Sequence, residues 1–319
     1  DRSNHWFFHT FYFTLSVPEV EKTVVLWYNF SWGRRRFPLI SVVSLWPFSP
    51  GKPGSEVKVP AEYKVKLTGQ SFGAYLLQEK IWQGATSTVY RAQGPQNHSR
   101  PKTVAVKVLH PYRSSREHRR QFLREFHLLK RLRHPNIILV YTAGQQDNFL
   151  FFSMEFVDGR SLRQYLMERE FSGPQCFYFL MEVGKALSYI HSCGIVHRDI
   201  KPENILVAGD LSQVKVIDFG YADYLNRHWW QGAPSLIGGT EPYLAPEVPR
   251  GEGSERSDIF SLGVMMGELL LPRIDRGQEV LKEIVQRATH PIPLRRFASV
   301  GQLMEACQAA LPHLTAALS

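Results

Sequence analysis

Apolar positions along this chain follow two rhythms, and the change from one to the other divides it. Over residues 1–70, HTFYFTLSV, KTVVLWYNF, LISVVSLW and EYKVKL are short runs rich in β-branched and aromatic residues. Each predicts a strand, and SPGKPGS supplies turn chemistry. The β pattern continues from residue 71 to about 153, where VAVK ends an alternating, valine-rich run. One helical stretch interrupts it: FLREFHLLKRL repeats Phe122, Phe126, Leu129 and Leu132 at helical spacing. His134-Pro135-Asn136 closes that helix, because proline disfavours helix in the residue before it. Beyond residue 158 the pattern is mainly helical. GIVHRDI and VKVIDFG mark short strands, SDIFSLGVMMGELL a core helix, and VGQLMEACQAALPHLTAAL an amphipathic helix that Pro312 bends or interrupts. The order gives an α+β chain: a β-rich module over 1–70, five strands with a helix over 71–153, and a mainly helical part over 158–314.

Chemistry concentrates in the helical part. HRDIKPEN carries His197, Arg198, Asp199, Lys201 and Asn204, and Asp218 in VIDFG follows Asp199 by nineteen residues. Phosphoryl transfer asks a protein mainly to orient a nucleophile and neutralise charge on the moving phosphate. Asp199 can accept the proton of an incoming hydroxyl. Asn204 and Asp218 offer hard oxygen ligands that suit Mg²⁺.

With these motifs in this order, residues 72–312 resemble a Hanks-type (eukaryotic-like) serine/threonine protein kinase. RATHPIPLRRFAS and LLKRLRHPNI look most like its bacterial members. The resemblance implies a two-lobed fold, with a β-rich small lobe over 71–153 and a helical large lobe over 158–314, using ATP and Mg²⁺, with Mn²⁺ as an alternative. It implies that Lys107 pairs with Glu125 and holds the α- and β-phosphates, that Asp199 is the base, and that Lys201 reaches the γ-phosphate. Asn204 and Asp218 would hold the metal. FFSMEFVDGRSL looks like the hinge between lobes. Met154 would be the gatekeeper, the backbone of Glu155 to Val157 would meet the adenine, and Ile81, Gly84, Val89, Ala105 and Leu206 would complete the nucleotide site.

GTEPYLAPE resembles the end of an activation segment, with Glu247 pairing to Arg296. Asp258 fits the buried aspartate that steadies the HRD backbone. Arg198 could bind a phosphate on that segment, and Ser235 is the only serine or threonine between Gly220 and Thr240. Trp229-Trp230 could instead hold the segment by apolar packing. Lys201 and Thr240 match the serine/threonine form, so the implied acceptor is a Ser or Thr hydroxyl on a protein.

Two departures stand out. The phosphate-covering loop reads Trp82-Gln83-Gly84-Ala85-Thr86-Ser87, keeping only the middle of three expected glycines. Trp82 gives up close backbone approach. It either stacks over the nucleotide or packs on the strand, and weaker ATP binding is expected. After the core helix, Pro272 to Gly277 replaces the usual helix and long loop, and EVLKEIVQRATHP already resembles the penultimate helix. Part of the region that commonly docks protein substrates is therefore missing. Two rival readings follow: a kinase-shaped scaffold acting through partners, or a kinase for a small-molecule alcohol.

Composition adds bounds. The 319 residues suffice for one two-lobed unit and a small module, and 44% apolar content argues against disorder. No apolar stretch approaches the roughly 18 residues of a membrane span. The chain begins at Asp1, which leaves an upstream signal or anchor open. Three scattered cysteines form neither a disulfide frame nor a metal site, so a reducing cytoplasm is expected. Net charge is +9, and residues 100–133 hold eleven basic residues against two acidic ones. That stretch reads either as a solvated helix face or as a docking surface for an acidic partner. No specific nucleic acid is expected. In the N-terminal module the aromatics read as core, and Arg34-Arg35-Arg36 as a charged turn or a phosphate contact.

Overall fold

Contacts divide the chain into two compact units, Asp1–Val59 and Pro60–Ser319. The computed structural model describes residues 67–95, 102–111, 114–225, 242–273 and 278–315, and before them only the backbone of five strands. In the first unit β1 (His9–Val17) pairs antiparallel with β2 (Val20–Tyr28), from His9 opposite Tyr28 to Val17 opposite Val20. β3 (Ser31–Trp32) pairs with β4 (Arg35–Arg36), and β2 pairs with β5 (Val43–Ser44). The first two expected strands form where the alternation put them. EYKVKL, except for Leu67, lies outside the described residues, as do the aromatic and Arg34–Arg36 side chains.

The second unit opens with β6 (Ser71–Phe72), β7 (Tyr75–Gln83), β8 (Ser87–Gln93) and β9 (Thr103–Leu109). After α1 (Arg116–Leu129) come β10 (Val140–Gln146) and β11 (Phe149–Glu155). These six strands make one antiparallel sheet in the order β10-β11-β9-β8-β7-β6. The period of two in β9 explains how the sheet serves two purposes. Val104, Val106 and Val108 pack with Leu77, Tyr90 and Phe151 on one face. Leu109 joins Phe152 and the Phe122 and Phe126 rings of α1 on the other. Ala105 and Lys107 share that second face. Helix α1 is capped by Ser115 and ends at Leu129, well ahead of Pro135, with the Lys130 N–H closing on Phe126.

The helical part begins with β12 (Gly159–Ser161), α2 (Leu162–Glu168) and α3 (Gly173–Ser192). Ser161 with Gln164, and Ser172 with Gln175, form the reciprocal boxes that start α2 and α3. Short strands follow: β13 (Ile195–Val196), β14 (Ile205–Ala208), β15 (Val214–Val216) and β16 (Asp223–Tyr224). β12, β14 and β15 form one small sheet, and β13 pairs with β16. α4 (Glu255–Leu270) is buried nearly all round, with Ile259, Leu262, Met265 and Leu269 fully enclosed. Gly263 lets α5 (Gln278–Ala288) approach closely, since a Cβ there would lie 2.6 Å from the Ala288 Cβ. α5 thus packs directly on α4, after a single 3₁₀ turn at Leu271–Arg273 and four further residues that lie outside the described ones. α6 (Val300–Thr315) runs past Pro312 and ends three residues later, so the proline does not interrupt it. No helix among the described residues is long and apolar enough to cross a membrane.

Glu247 and Arg296 pair as expected: two guanidinium nitrogens donate to the two carboxylate oxygens at 2.7 and 2.8 Å, and the Arg296 side chain is 0% exposed. Burial alone would raise the Glu247 carboxyl, but hydrogen bonds from Arg296 and Ser257 outweigh it and leave it below the usual carboxylate range. Its contribution to stability is therefore present above the ordinary glutamate value and lost as pH falls through the depressed folded value. Arg296→Ala strands Glu247 in the interior and is expected to cost about 3–5 kcal/mol in denaturant unfolding at neutral pH. A loss below about 1 kcal/mol would contradict this assignment.

Candidate functional site

A buried aspartate shapes the loop that carries Asp199. The Asp258 carboxylate, at the start of α4, accepts the N–H of His197 and of Arg198, each at 2.8 Å, and His191 Nε2 at 2.8 Å. Burial works against the Asp258 charge, yet these donors hold its carboxyl below the usual range. The grip fixes Arg198 at a φ of 67°, an uncommon conformation for a residue with a side chain. Lys201 Nζ lies 2.8 Å from Asp199 Oδ2, and the Asn204 amide donates to Asp199 Oδ2 and to its backbone carbonyl, both at 2.8 Å. Burial raises the Asp199 carboxyl above the usual range, with Lys201 opposing. Asp199 is thus a better proton acceptor than an ordinary aspartate.

Asp218 comes to the same place from β15. The Ile217 N–H donates to the Asn204 carbonyl at 2.9 Å, which sets Asp218 beside the turn at Pro202–Asn204. Asp218 has a φ of 61° and lies 3.4 Å from Lys107 Nζ. Lys107 also donates to both oxygens of Glu125, at 2.7 and 2.8 Å. Burial opposes the Lys107 charge, but the carboxylates of Asp218 and Glu125 outweigh it and raise its pKa above the ordinary lysine value. Burial also penalises the Asp218 charge, and Lys107, with His197 and Lys201, more than offsets this, so its carboxyl lies below the usual range.

Asp218 and Asn204 together fit a hard divalent ion. Among the described residues no group of three or more His, Cys, Asp or Glu side chains could hold a metal by itself. An ion bound here must complete its shell with water and phosphate oxygens, as small divalent ions do at phosphate sites.

Sequence reasoning missed the neighbour that steadies Asp218. Gln121 lies one helical turn before Glu125 on α1, and its amide donates to the Gly220 carbonyl at 2.8 Å. Glu125 accepts the Phe219 backbone N–H. Two side chains four residues apart thus grip consecutive residues of the Asp218 segment. The i,i+4 spacing was visible in the sequence, but the partner carbonyl was not.

Four of the expected site residues share one face of the six-stranded sheet. Val89 lies opposite Lys107, and Ala105 opposite Met154, so these four share a side of the sheet. Leu206 sits in β14, and Glu155 and Val157 follow at the end of β11, all half-buried. Ile81 is exposed on β7. Glu155 has a further partner, Lys215 Nζ at 2.8 Å, and accepts the Leu139 N–H. Trp82 is 51% exposed and its indole folds over Gly84, where a Cβ would lie 2.2 Å from the ring.

The Arg198 guanidinium turns to Asp223 at 3.3 Å and to the Gly253 carbonyl. Ser235, Thr240, Trp229 and Trp230 lie outside the described residues. Several basic residues of the 100–133 stretch have partners within the chain. Arg119 reaches the Asn148 carbonyl, Lys130 the Tyr141 carbonyl and Arg131 the Tyr224 hydroxyl.

The protein kinase domain model matches residues 75–299. Serine/threonine-protein kinase PknJ of Mycobacterium tuberculosis is 32% identical over 276 residues, covering 76% of this chain and 46% of that protein. Serine/threonine-protein kinase PrkC of Bacillus subtilis is 35% identical over 239 residues, covering 73% of this chain and 36% of that protein. The chain therefore spans less than half the length of these curated relatives. Among solved structures, the Mycobacterium tuberculosis PknI kinase domain matches with a TM-score of 0.62 at 25% identity, over 77% of this chain and all of that one. These matches agree with the α+β, two-lobed reading, and the β-rich N-terminal stretch lies outside the matched family region.

Gln121→Leu removes the donor at nearly constant volume. It is expected to weaken binding of a magnesium–nucleotide complex by about two- to tenfold, the scale of one hydrogen bond, with the fold intact. Unchanged affinity in calorimetry would remove Gln121 from the site.

Proposed function

Because this chain belongs to the protein kinase domain family, we propose that it transfers the γ-phosphate of ATP to serine or threonine hydroxyls of protein substrates. Membership in the family implies use of ATP and a divalent metal, and Mg²⁺ is the ion proposed here. The observation that carries the reading is the convergence of Lys107, Glu125 and Asp218 with the Asp199–Lys201–Asn204 loop. We assign residues 71–314 to catalysis and residues 1–70 to a separate module.

Each side chain then has a task. Lys107, held by Glu125, takes the α- and β-phosphates. Val89, Ala105, Met154 and Leu206 enclose the base, with Ile81 at the rim, while the backbone from Glu155 to Val157 supplies its hydrogen bonds. Gly84 lets the loop above approach the phosphates. Asp218 and Asn204 hold the metal, which when bound neutralises charge on the β- and γ-phosphates. Asp199 orients the acceptor hydroxyl and takes its proton, and Lys201 stabilises charge developing on the γ-phosphate. The two aspartates are pushed apart for these roles: Asp199 toward basicity by burial, Asp218 toward ionisation by Lys107.

Ser235 is the proposed phosphosite that would draw Arg198 away from Asp223, with Thr240 proposed as a further regulatory residue. The basic stretch over 100–133 is proposed to be a largely solvated face, and an acidic partner there is the alternative. Cys176 and Cys307 are buried thiols and Cys193 an exposed one, which supports a reducing, cytoplasmic setting.

Transfer of labelled γ-phosphate from ATP–Mg²⁺ tests the function. Asp199→Asn is expected to lose at least about a hundredfold in rate while retaining nucleotide binding. Equal transfer by both proteins would exclude Asp199 as the base, and none by either would favour a partner-binding scaffold. Phosphate appearing on a metabolite and on no protein would favour a small-molecule kinase. Trp82→Gly is expected to tighten ATP binding by up to about tenfold. Equal dissociation constants would show that the indole on Gly84 costs the nucleotide nothing.

A further inference from the structure

The loop between β7 and β8 is held mainly along one arm. The other arm, β7 from Gln78 to Gln83, is exposed throughout, and the Lys80–Gln83 hydrogen bond there joins two exposed side chains. The held arm opens β8 with Ser87 and Thr88, both buried. Among the described residues, the anchorage of this loop therefore runs through β8.

His110, the first residue after β9, makes the attachment at the tip. Its backbone N–H donates to the Thr86 carbonyl at 2.8 Å, and its ring Nε2 shares a hydrogen bond with the Thr88 hydroxyl at 2.8 Å. The first contact carries the β8–β9 ladder one step past the pairing of Ser87 with Leu109. The second satisfies a hydroxyl that would be costly to bury alone. Thr88 is tied inward as well: burial raises the Tyr90 phenol, and a hydrogen bond with Thr88 opposes that shift. Tyr90 belongs to the apolar cluster on the outer face of the sheet, so Tyr90, Thr88 and His110 form a polar chain from that cluster to the end of β9. Across the tip, the Gly84 N–H donates to the Ser87 carbonyl at 2.9 Å, which closes the loop into a turn that His110 holds as a unit.

Alternation along β8 fixes which side this chain lies on. Thr88 lies opposite Val108, whereas Val89 lies opposite Lys107. Thr88 and Tyr90 are therefore on the face away from Lys107. Two of the three expected glycines are also missing, and Ser87, at the third position, is built into the ladder. A loop with less backbone freedom, tied to the neighbouring strand, is preorganised for what it covers.

We propose that His110 is a positioning residue for the nucleotide phosphates, holding the β7–β8 loop above them through Thr86 and Thr88. This rests on the protein-kinase reading above. Cutting the tie frees the loop, and ordering it again on binding lowers affinity for the phosphates. The base is enclosed by other residues and keeps its contacts.

The test is calorimetry on the full chain with two probes: the β,γ-methylene analogue of ATP with Mg²⁺, and adenosine, which has the same base and no phosphate. His110→Leu and Thr88→Val are each expected to weaken binding of the analogue by about three- to tenfold, the scale of one hydrogen bond. Adenosine is expected to bind within about twofold of wild type in both. The double variant is expected to stay within about twofold of the weaker single variant, because both changes cut one tie. Thr88→Ser, which keeps a hydroxyl, is expected to lose less than Thr88→Val, and thermal melts check each fold.

Unchanged affinity for the analogue in His110→Leu would overturn the proposal. So would equal losses for analogue and adenosine, the mark of a merely structural tie. Losses that multiply in the double variant would show that His110 does not act through Thr88 and would overturn it too. Unfolding of both single variants would have the same force, since the tie would then serve the fold and not the loop. If the wild-type protein binds neither probe, the kinase reading fails and this proposal falls with it.

Discussion

One fully buried carboxylate organises the catalytic unit. Asp258 opens α4, the most enclosed helix of the described chain, and spends its lone pairs on the backbone of His197 and Arg198 and on the His191 ring. A buried charge persists only when its donors are in place. The same bonds therefore keep Asp258 ionised and bend the loop so that Asp199, Lys201 and Asn204 meet. Arg198 at positive φ records the strain of that bend. His197, also fully buried, passes the constraint on by accepting the Asp199 N–H and reaching the Ile217 carbonyl, one residue before Asp218.

From this anchor the site extends into the sheet through Asp218. Lys107 bridges Asp218 and Glu125, while Gln121 and Glu125 hold the backbone that follows. Helix α1, strand β9 and the catalytic loop are thereby tied through polar contacts around one cleft. Electrostatics then separates the two aspartates: the same burial that makes Asp199 more basic is outweighed at Asp218 by Lys107. In the proposed reaction the first would take a proton and the second would hold the metal.

The legible parts were those set by short-range pattern. The alternation around VAVK put Lys107 on a strand and the spacing of Phe122 and Phe126 put Glu125 on a helix, while their pairing was implied by the family resemblance and not by either pattern. HRDIKPEN was readable because its members act within one turn. What stayed hidden depends on pairs distant in sequence: Gln121 with Gly220, 99 residues apart, and Arg163 with Glu268, 105 apart. Each is an ordinary polar residue on a helix face, and nothing local distinguishes it from a solvated one. Of the two effects expected of Pro312, interruption does not occur, since α6 continues to Thr315.

The departures from the family pattern lie at the edges of this assembly. Trp82 covers Gly84 in the loop between β7 and β8, and α5 follows α4 without the usual intervening helix. Neither disturbs the groups that Asp258 organises. The most direct measurement of that dependence is phosphate transfer and nucleotide affinity in Asp258→Asn, which keeps the volume but turns one acceptor into a donor facing backbone N–H groups. The account predicts a folded protein that still binds nucleotide yet transfers phosphate at least about a hundredfold more slowly, because the loop carrying Asp199 is misplaced. Transfer within about threefold of wild type would show that the loop holds its shape without Asp258 and would contradict it.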